Sequence, residues 1–276
     1  MWKYKKIPKI AHFYWGSGRM SFMRFMSLYS FCKLNPDWKV KLHVPPQPFG
    51  KITWSTGENA DVYNGPDYYP EINKLPVEEH LIDDFPQKIA GKPDVMRSDF
   101  YRWKLLATAG GMWFDMDILF IKPISELNFD ENCNTLVSIH PYKAIGVMGA
   151  SPQNDFFKRV HAKATTATGG GYQSLGSMLL NDWSRIEAVK SSFKKLCVVN
   201  LPNSAFYHIG CGRISDFYKK ETKGIPQAIG YHWYGGAPVS GKWNNKITMD
   251  TLDDFDIFIC REMRKVIDAE YTGTHK

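Results

Sequence analysis

The chain has 276 residues, of which 43% are hydrophobic and 14% aromatic, so it can bury a sizeable core and is not a disordered chain. No apolar run approaches the roughly 18 residues of a membrane-spanning helix, and five scattered cysteines without a C-x-x-C pair argue against a zinc site. The formal charge of +7 fits an anionic partner such as a nucleotide diphosphate, a membrane surface or a nucleic acid.

The N-terminal stretch M-W-K-Y-K-K-I-P-K-I is basic but lacks an apolar signal core, and the sequence has no N-x-S/T sequon. We therefore expect a cytoplasmic protein, with peripheral membrane contact through a basic surface as an option. No zinc-finger, RNA-recognition or helix-turn-helix signature is present, so a nucleic-acid partner is not expected.

The first elements predict a strand, a helix and a second strand. Residues 7–15 form an apolar run that is typical of a buried strand and ends at the loop 16–18. Residues 19–34 carry a polar side chain at every third position, as in a helix that is buried on most sides, and residues 38–44 alternate as a strand does. This order predicts a parallel sheet, and loops at the carboxyl ends of parallel strands commonly bind ligands.

Residues 45–93 are rich in Pro, Gly, Asn and acidic residues and predict a loop-rich insertion, with a long loop over 57–70 on the acceptor side or flanking it. Four acidic residues in its second half are expected on a solvated helix face: Glu78, Glu79, Asp83 and Asp84.

The block 94–123 organises the rest of the chain. It predicts a helix over 94–109, a strand over 112–114, a turn at 115–117 and a second strand over 118–121. Asp94 follows a proline and occupies the expected N-cap position, while Gly110 and Gly111 end the helix because glycine adopts a left-handed C-cap at little cost.

Asp115 and Asp117 stand two residues apart at the end of an apolar strand. Two carboxylates beside apolar residues are costly unless a cation joins them, and Mg²⁺ or Mn²⁺ prefers such hard oxygen ligands. The alternative is a turn whose aspartates bond only local amides.

On the preceding helix, Asp99 and Arg102 share one face and could hold sugar hydroxyls and a phosphate; a surface salt bridge is the simpler alternative.

The segment S-D-F-Y-R-W-K-L-L-A-T-A-G-G-M-W-F-D-M-D resembles the signature of the DXD-containing glycosyltransferases of family 32, which include yeast initiating mannosyltransferases. The catalytic domains of clostridial glucosylating toxins carry a similar block. The resemblance implies that Asp115 and Asp117 meet the metal and the donor diphosphate, that Asp99 and Arg102 contact the transferred sugar, and that Trp113 lies near the nucleotide sugar.

The family's opening pattern I-P-K-x-x-H-x-x-W is matched at the first strand. The resemblance implies that His12, Tyr14 and Trp15 meet the base and ribose of the donor, although a packed position in a core strand is as consistent with His12.

The second half predicts strands over 135–139, 144–148, 196–201, 205–209 and 227–231, and helices over 151–164, 175–183, 215–222 and 252–269. The glycine-rich segment 168–172 lacks the proline of the family's T-G-P segment and could equally be a flexible linker. Asp254 and Asp256 form a second D-x-D that we discount, because acidic residues are expected in a first helical turn.

Residues 231–243 contain Y-H-W-Y, a Gly-rich turn and S-G-K-W, which resembles the family's late H-H-x-x-x-S-W element with an insertion. Independently, a histidine among aromatic residues after a strand can supply a third metal ligand, here His232. Lys242 could meet the β-phosphate and Trp243 could cover the nucleotide sugar; an aromatic core turn is the alternative.

We therefore expect one α/β domain over 1–276 of the GT-A type, with a mixed, mainly parallel sheet flanked by helices. The expected activity is metal-dependent transfer of a hexose, with retention of configuration, from a UDP- or GDP-sugar to a hydroxyl of a glycan, lipid or protein. Mn²⁺ or Mg²⁺ is the expected cofactor. A metal-dependent phosphoesterase and a non-catalytic sugar-nucleotide or glycan binder are the alternatives.

Overall fold

The structure is a computed structural model that describes residues 6–16, 18–46, 63–83, 85–127, 129, 133–139, 141 and 143–269. Its strands are β1 (Ile10–Tyr14), β2 (Lys39–Val44), β3 (Val77–Leu81), β4 (Gly111–Phe114), β5 (Ile118–Phe120), β6 (Thr135–Ser138), β7 (Ala144–Ala150), β8 (Val198–Asn200) and β9 (Gly230–His232). Its α-helices are α1 (Phe22–Leu34), α2 (Gln87–Ala90), α3 (Asp94–Thr108), α4 (Asp155–Thr166), α5 (Ile186–Ser192), α6 (Asn203–Phe206), α7 (Pro238–Asn244) and α8 (Phe258–Asp268).

A seven-stranded sheet in the order β3-β2-β1-β4-β7-β6-β8 forms the centre of the molecule. Among its described strands, β7 alone runs against the others, because it pairs antiparallel with both β4 and β6. The remaining neighbours pair in parallel. Strands β5 and β9 form a separate antiparallel pair. The prediction of a mixed, mainly parallel sheet flanked by helices is confirmed.

Apolar side chains pack on both faces of this sheet. Along β4, Met112 and Phe114 belong to one buried cluster and Trp113 belongs to the other, as the alternation of side chains along a strand requires. The first cluster includes residues of α1 and α8, and the second includes residues of α3 and α4. The sheet therefore lies between two helical layers, and its central strands are buried on both sides.

The helix α3 and the two glycines after it follow the prediction, except at the start. Pro93 is the N-cap and makes no side-chain capping bond, so the assignment of Asp94 as the N-cap was wrong. Asp94 is the first helical residue, where it forms an ion pair with Arg97 and accepts a hydrogen bond from the Tyr14 hydroxyl at 3.0 Å. Gly110 and Gly111 have φ values of 68° and 104°, which explains why glycine is needed there.

Several other predicted elements differ from the structure. Glu78 and Glu79 lie in the edge strand β3 and not on a helix, while Asp83 follows that strand and Asp84 lies outside the described residues. The predicted strand 205–209 is wrong, because residues 205 and 206 end the short helix α6 and residues 207–209 form neither a helix nor a strand. The loop predicted over 57–70 is described only from residue 63, and the expectation of a single domain over 1–276 stays a prediction.

The predicted helices 175–183 and 215–222 correspond to 3₁₀ helices at Ser177–Trp183 and Cys211–Tyr218. At the C-terminal end, α8 begins at Phe258, so Asp254 and Asp256 do not lie in its first turn as supposed. Asp256 instead pairs with Lys220 at 2.6 Å and with Arg261 at 3.3 Å, so this aspartate of the second D-x-D is engaged in surface ion pairs. Within the described part of the chain, no helix has both the length and the apolar character needed to cross a bilayer.

Candidate metal centre

The turn between β4 and β5 carries the two aspartates that the sequence singled out. The amide of Asp115 donates to the Gly146 carbonyl of β7 at 2.9 Å, and the Met116 side chain between the two aspartates is buried in the first apolar cluster. The Met116 carbonyl accepts a hydrogen bond from Ser27 of α1 at 2.9 Å. A buried residue thus anchors the middle of the turn and leaves the carboxylates on either side of it at the end of the sheet.

His232 is brought to these carboxylates by the pairing of β9 with β5. In that pair Ile118 stands opposite His232, and the Trp233 amide donates to the Asp117 carbonyl at 2.8 Å. The Nε2 atom of His232 lies 3.2 Å from Asp117 Oδ1 and 3.6 Å from Asp115 Oδ2. Among the described residues, these three are the one group of His, Cys, Asp or Glu whose ligand atoms all lie within 4.8 Å of one another.

Gly146 makes this close approach possible. A Cβ atom at this position would stand 2.8 Å from Asp115 Oδ2 and 2.9 Å from His232 Nε2, closer than Cβ atoms come to their neighbours. A glycine inside a strand commonly marks such an approach of another group to the backbone. The absence of a side chain at Gly146 therefore leaves room for the Asp115 carboxylate and the His232 imidazole.

Arg102 connects α3 to the turn between β4 and β5 that carries Asp115 and Asp117, here called the metal turn. Its guanidinium bonds Asp115 Oδ1 at 2.8 Å and the Ile145 carbonyl at 2.7 Å, and lies 3.2 Å from Asp99 Oδ1. The Trp113 indole N–H also donates to Asp115 Oδ1 at 2.8 Å. Asp99 and Arg102 are each 3% exposed, so their pairing is a buried ion pair and not the surface salt bridge considered as the alternative.

The charges and the burial of the site shift the pKa values of its groups in different directions: a lowered pKa at Asp115 favours the ionised carboxylate that a metal needs, whereas a raised pKa at His232 makes a proton compete with the metal. Burial opposes ionisation of Asp115, but the Arg102 guanidinium and the His232 imidazole outweigh it and hold the pKa of this carboxyl well below its usual range. Burial also opposes a charged His232, yet the carboxylates of Asp117 and Asp115 raise its pKa. For Asp99, burial dominates and, despite Arg102, raises the pKa to about 7.

The donor set fits a divalent cation such as Mn²⁺. Two carboxylate oxygens and one imidazole nitrogen lie close together. One oxygen of Asp115 accepts hydrogen bonds from Arg102 and Trp113. One oxygen of Asp117 accepts a hydrogen bond from the Gly235 amide at 2.7 Å. The free imidazole nitrogen His232 Nδ1 is buried and has no hydrogen-bond partner in the described chain. The hydrogen bonds to the Asp115 and Asp117 carboxylates are contacts of the kind that orient metal ligands. Carboxylates are the ligands that Mn²⁺ and Mg²⁺ prefer.

Of the residues predicted near the nucleotide, Tyr14 and Trp15 lie at the carboxyl end of β1. The Tyr14 hydroxyl is engaged with Asp94, and the Trp15 indole N–H donates to the Gly18 carbonyl at 2.7 Å. His12 is 2% exposed inside the sheet, with one ring nitrogen on the Gly110 carbonyl and the other on His43, both at 2.9 Å. Its surroundings are those of a packed core residue.

Lys242 and Trp243 lie on α7, so the S-G-K-W segment is helical and not a turn. Lys242 is exposed, while Trp243 stacks on Tyr218 with ring centroids 5.3 Å apart and meets Phe255 edge-on at 5.4 Å. No contact between either residue and the three metal-ligand candidates is found among the described side chains. Their assignment to the diphosphate and the nucleotide sugar stays a prediction.

Three residues at this centre were not expected from the sequence: Arg24, Gly146 and Tyr207. The Tyr207 ring lies 5.3 Å from the His232 ring, and its hydroxyl is buried without a hydrogen-bond partner in the described chain. A glycine within a predicted strand and an arginine on a helix that is otherwise buried were the available signals for Gly146 and Arg24. No sequence signal pointed to Tyr207, because the segment around it was predicted to be an ordinary strand.

The sequence matches no protein-family model, and no curated protein matches it. Solved structures with a similar arrangement include the apo-form glycosyltransferase GlyE of Streptococcus pneumoniae TIGR4, at 10% identity over 98% of this chain and 61% of that one, with a TM-score of 0.48. Another is the PaToxG glycosyltransferase, at 13% identity over 70% of this chain and 77% of that one, with a TM-score of 0.43. A third is the galactosyltransferase LgtC in complex with donor and acceptor sugar analogs, at 14% identity over 81% of this chain and 86% of that one, with a TM-score of 0.40. These TM-scores and identities are too low to assign a family or an activity.

Proposed function

We propose that the chain is a metal-dependent glycosyltransferase of the GT-A type that moves a hexose from a nucleotide-diphosphate sugar to a hydroxyl group. The observation that carries the proposal is the convergence of Asp115, Asp117 and His232 within 4.8 Å, at the carboxyl end of β4 and directly beside the Arg102–Asp99 pair. Ligands of open α/β sheets bind at this end of the strands.

Asp115, Asp117 and His232 would hold Mn²⁺ or Mg²⁺, which when bound supplies positive charge for the diphosphate leaving group. Arg102 and Trp113 keep the Asp115 carboxylate in place through bonds of 2.8 Å each. Asp99 would accept hydrogen bonds from hydroxyls of the transferred sugar. Retention of configuration is part of the proposal by family resemblance, and no side chain is nominated as a nucleophile.

Contact between a sugar and Asp99 requires a movement in the segment before the 3₁₀ helix Ser177–Trp183. Asp99 is 3% exposed, and a Cβ atom on Gly176 would stand 2.6 Å from its Oδ2 atom. Gln173, in the same segment, has a φ of 65°, which is unusual for a residue other than glycine. We propose that residues 173–176 cover the sugar position and move away when the donor binds.

Turnover of donors tests the proposal and separates it from its alternatives. A panel of UDP- and GDP-sugars is incubated with Mn²⁺ or EDTA, using the wild type and Asp117→Ala. The proposal expects metal-dependent release of nucleoside diphosphate from one donor, faster with acceptor, and a loss of about 100-fold or more in the variant. Release of monophosphate or phosphate would indicate a phosphoesterase. Metal-dependent donor binding without release would indicate a binding protein.

The acceptor is proposed only as a class, a hydroxyl of a glycan, a lipid or a protein. A cytoplasmic location and peripheral contact with a membrane through the basic surface also remain proposals. Sedimentation with vesicles that contain about one third anionic lipid, compared with neutral vesicles, tests the membrane contact. Equal binding to both vesicles would argue against an electrostatic contact.

A further inference from the structure

Arg24 lies in the first turn of α1, and its side chain reaches the candidate metal centre. Its Nη1 atom lies 3.8 Å from Asp117 Oδ2, and its side chain is 15% exposed. The guanidinium lies over the Trp233 ring, 5.0 Å from its centroid, and 5.9 Å from the centroid of Trp15. A Cβ atom at Gly235 would collide with its Nη2 atom, so the space beside the guanidinium depends on a glycine.

This guanidinium has unused hydrogen-bond donors. It carries five N–H groups, and within the described part of the chain no hydrogen bond from its side chain is found; its contacts are the ion pair with Asp117 and the two aromatic rings. By contrast, Arg102 on the other side of the site bonds both a carboxylate and a carbonyl. A largely buried cation with free donors is costly unless an anion meets it.

We propose that Arg24 binds a phosphate of the donor's diphosphate, an inference that rests on the proposed function and identifies a second cationic contact for the same substrate. A divalent cation on Asp117 takes up the negative charge that now faces Arg24, so the guanidinium then lacks a counter-charge. The forked donors of arginine match two phosphate oxygens, and the flanking indole rings hold the guanidinium plane in one orientation.

The same geometry predicts that the anion and the metal bind together. Without a cation, the carboxylates of Asp115 and Asp117 repel a diphosphate, and Arg24 alone does not overcome two negative charges. With the cation in place, the diphosphate faces positive charge from the metal and from Arg24. Binding of a diphosphate is therefore expected to depend on Mn²⁺, and the contribution of Arg24 is expected to appear only when Mn²⁺ is present.

Calorimetry with three probes tests the inference: inorganic pyrophosphate, UDP and GDP, each with and without Mn²⁺. Arg24→Gln removes the charge and the fork, Arg24→Lys keeps the charge and most of the stem, and Arg159→Gln removes an exposed arginine of α4 as a matched control. We expect Arg24→Gln to weaken binding of pyrophosphate and of the bound nucleotide about 10- to 100-fold. Arg24→Lys should restore part of this loss, and Arg159→Gln should bind as the wild type does.

Binding of Mn²⁺ alone distinguishes this role from a structural one. Removing a positive charge beside Asp117 should leave the Mn²⁺ affinity unchanged or raise it, whereas a collapsed site would bind Mn²⁺ less well. Equal diphosphate binding by the wild type and Arg24→Gln overturns the inference but leaves the proposed function standing. If Arg24→Gln does not fold, Arg24→Lys decides, and an affinity equal to the wild type overturns the inference.

The pyrophosphate probe separates failure of the inference from failure of the proposed function. Binding of pyrophosphate without binding of UDP or GDP would keep the anion site and argue against a nucleotide-sugar donor with either base. No binding of any probe by the wild type with Mn²⁺ would overturn both proposals.

Discussion

Gly146 determines whether the three metal-ligand candidates can meet. Gly146→Ala places a methyl group 2.8 Å from Asp115 Oδ2 and 2.9 Å from His232 Nε2, so one of the two side chains must move. We expect the Mn²⁺ affinity to fall about tenfold or more, because ligand positions shifted by even a fraction of an ångström no longer satisfy one ion. Calorimetric titration of Mn²⁺ into the wild type and the variant measures the change.

Gly149→Ala is the matched control in the same strand. Its methyl group would contact only apolar side chains, the nearest being Leu136 Cδ1 at 3.1 Å, so it can change the stability of the protein without touching the ligands. Unchanged Mn²⁺ affinity in Gly146→Ala would show that the centre has more room than this geometry indicates, and would weaken the metal assignment itself.

The residues that could be predicted from the sequence are the ones that lie close together in it. Asp99, Arg102, Trp113, Asp115 and Asp117 belong to one continuous segment. The structure joins the first four in one network, and His232 links Asp117 to it. A helix, a glycine pair and a strand place them together by local rules alone. His232, which a distant segment contributes, was found because a family pattern and the histidine among aromatic residues after a strand both pointed to it.

At the scale of elements, α1 shows why a polar stripe on a buried helix is informative. Four of the polar residues at every third position, Ser21, Arg24, Ser27 and Ser30, contact the candidate metal centre or the elements that support it. Lys33, the last of the series, instead bonds the Ile267 carbonyl of α8 at 2.6 Å. Ser21 bonds Asn244 of α7 at 2.5 Å, Ser27 bonds the Met116 carbonyl at 2.9 Å, and Ser30 accepts from the Phe120 amide at 3.1 Å. The helix therefore holds the metal turn as well as filling the core.

Ser27→Ala tests this support of the turn. The change removes the donor to the buried Met116 carbonyl and leaves that carbonyl unpaired. We expect the free energy of unfolding to fall by about 1–3 kcal/mol, and the Mn²⁺ affinity to fall because Met116 lies between the two aspartates. Urea denaturation and calorimetric titration measure the two effects.

Ser191→Ala is the control for a serine that bonds only its own helix, at 3.1 Å to the Ala188 carbonyl on the exposed α5 surface. Ser191→Ala should change neither the free energy of unfolding nor the Mn²⁺ affinity appreciably. If Ser27→Ala lowers the stability but leaves the Mn²⁺ affinity unchanged, α1 supports the core and not the geometry of the turn.

The elements that the sequence did not reveal have weak local signals. β3 carries two consecutive exposed glutamates because it is an edge strand with one neighbour, so it shows no regular alternation. The short, mostly apolar segment 205–209 fits a strand as well as a helix, and tertiary packing determines that its first two residues end α6. α7 contains a glycine and begins with a proline, which are features of a turn as much as of a helix start.

At the scale of the whole molecule, a buried pair of histidines links three parts of the chain across the sheet. His12 Nε2 donates to the Gly110 carbonyl at 2.9 Å, so its Nδ1 must accept the proton of His43 Nε2, also at 2.9 Å. His43 Nδ1 then carries no proton, and it has no hydrogen-bond partner in the described chain. Both rings are therefore held in the neutral form.

Burial lowers the pKa of His12 to about 4 and that of His43 to about 2; the His12 ring contributes further to the lowering at His43, and nearby Lys41 and His80 contribute to both. Both lie below the value of roughly 6.5 for an unfolded histidine. As the pH falls below that value, the unfolded chain binds protons that the folded chain does not, so the free energy of unfolding must decrease. The stability from this pair is complete above about pH 6.5 and is lost progressively toward pH 4 and below.

We expect urea denaturation to show a loss of about 2–4 kcal/mol between about pH 7 and pH 5, since each unit of pKa difference corresponds to about 1.4 kcal/mol. His43→Gln keeps an N–H donor for His12 but cannot titrate, so it should make this dependence roughly half as steep, whatever its effect on stability at neutral pH. His208→Gln, at a less buried ring, should leave most of the dependence in place. A wild-type stability that is flat over this range would mean that the two rings take up protons in the folded protein. The assignment of His12 and His43 as a neutral pair that is directly hydrogen-bonded would then be wrong.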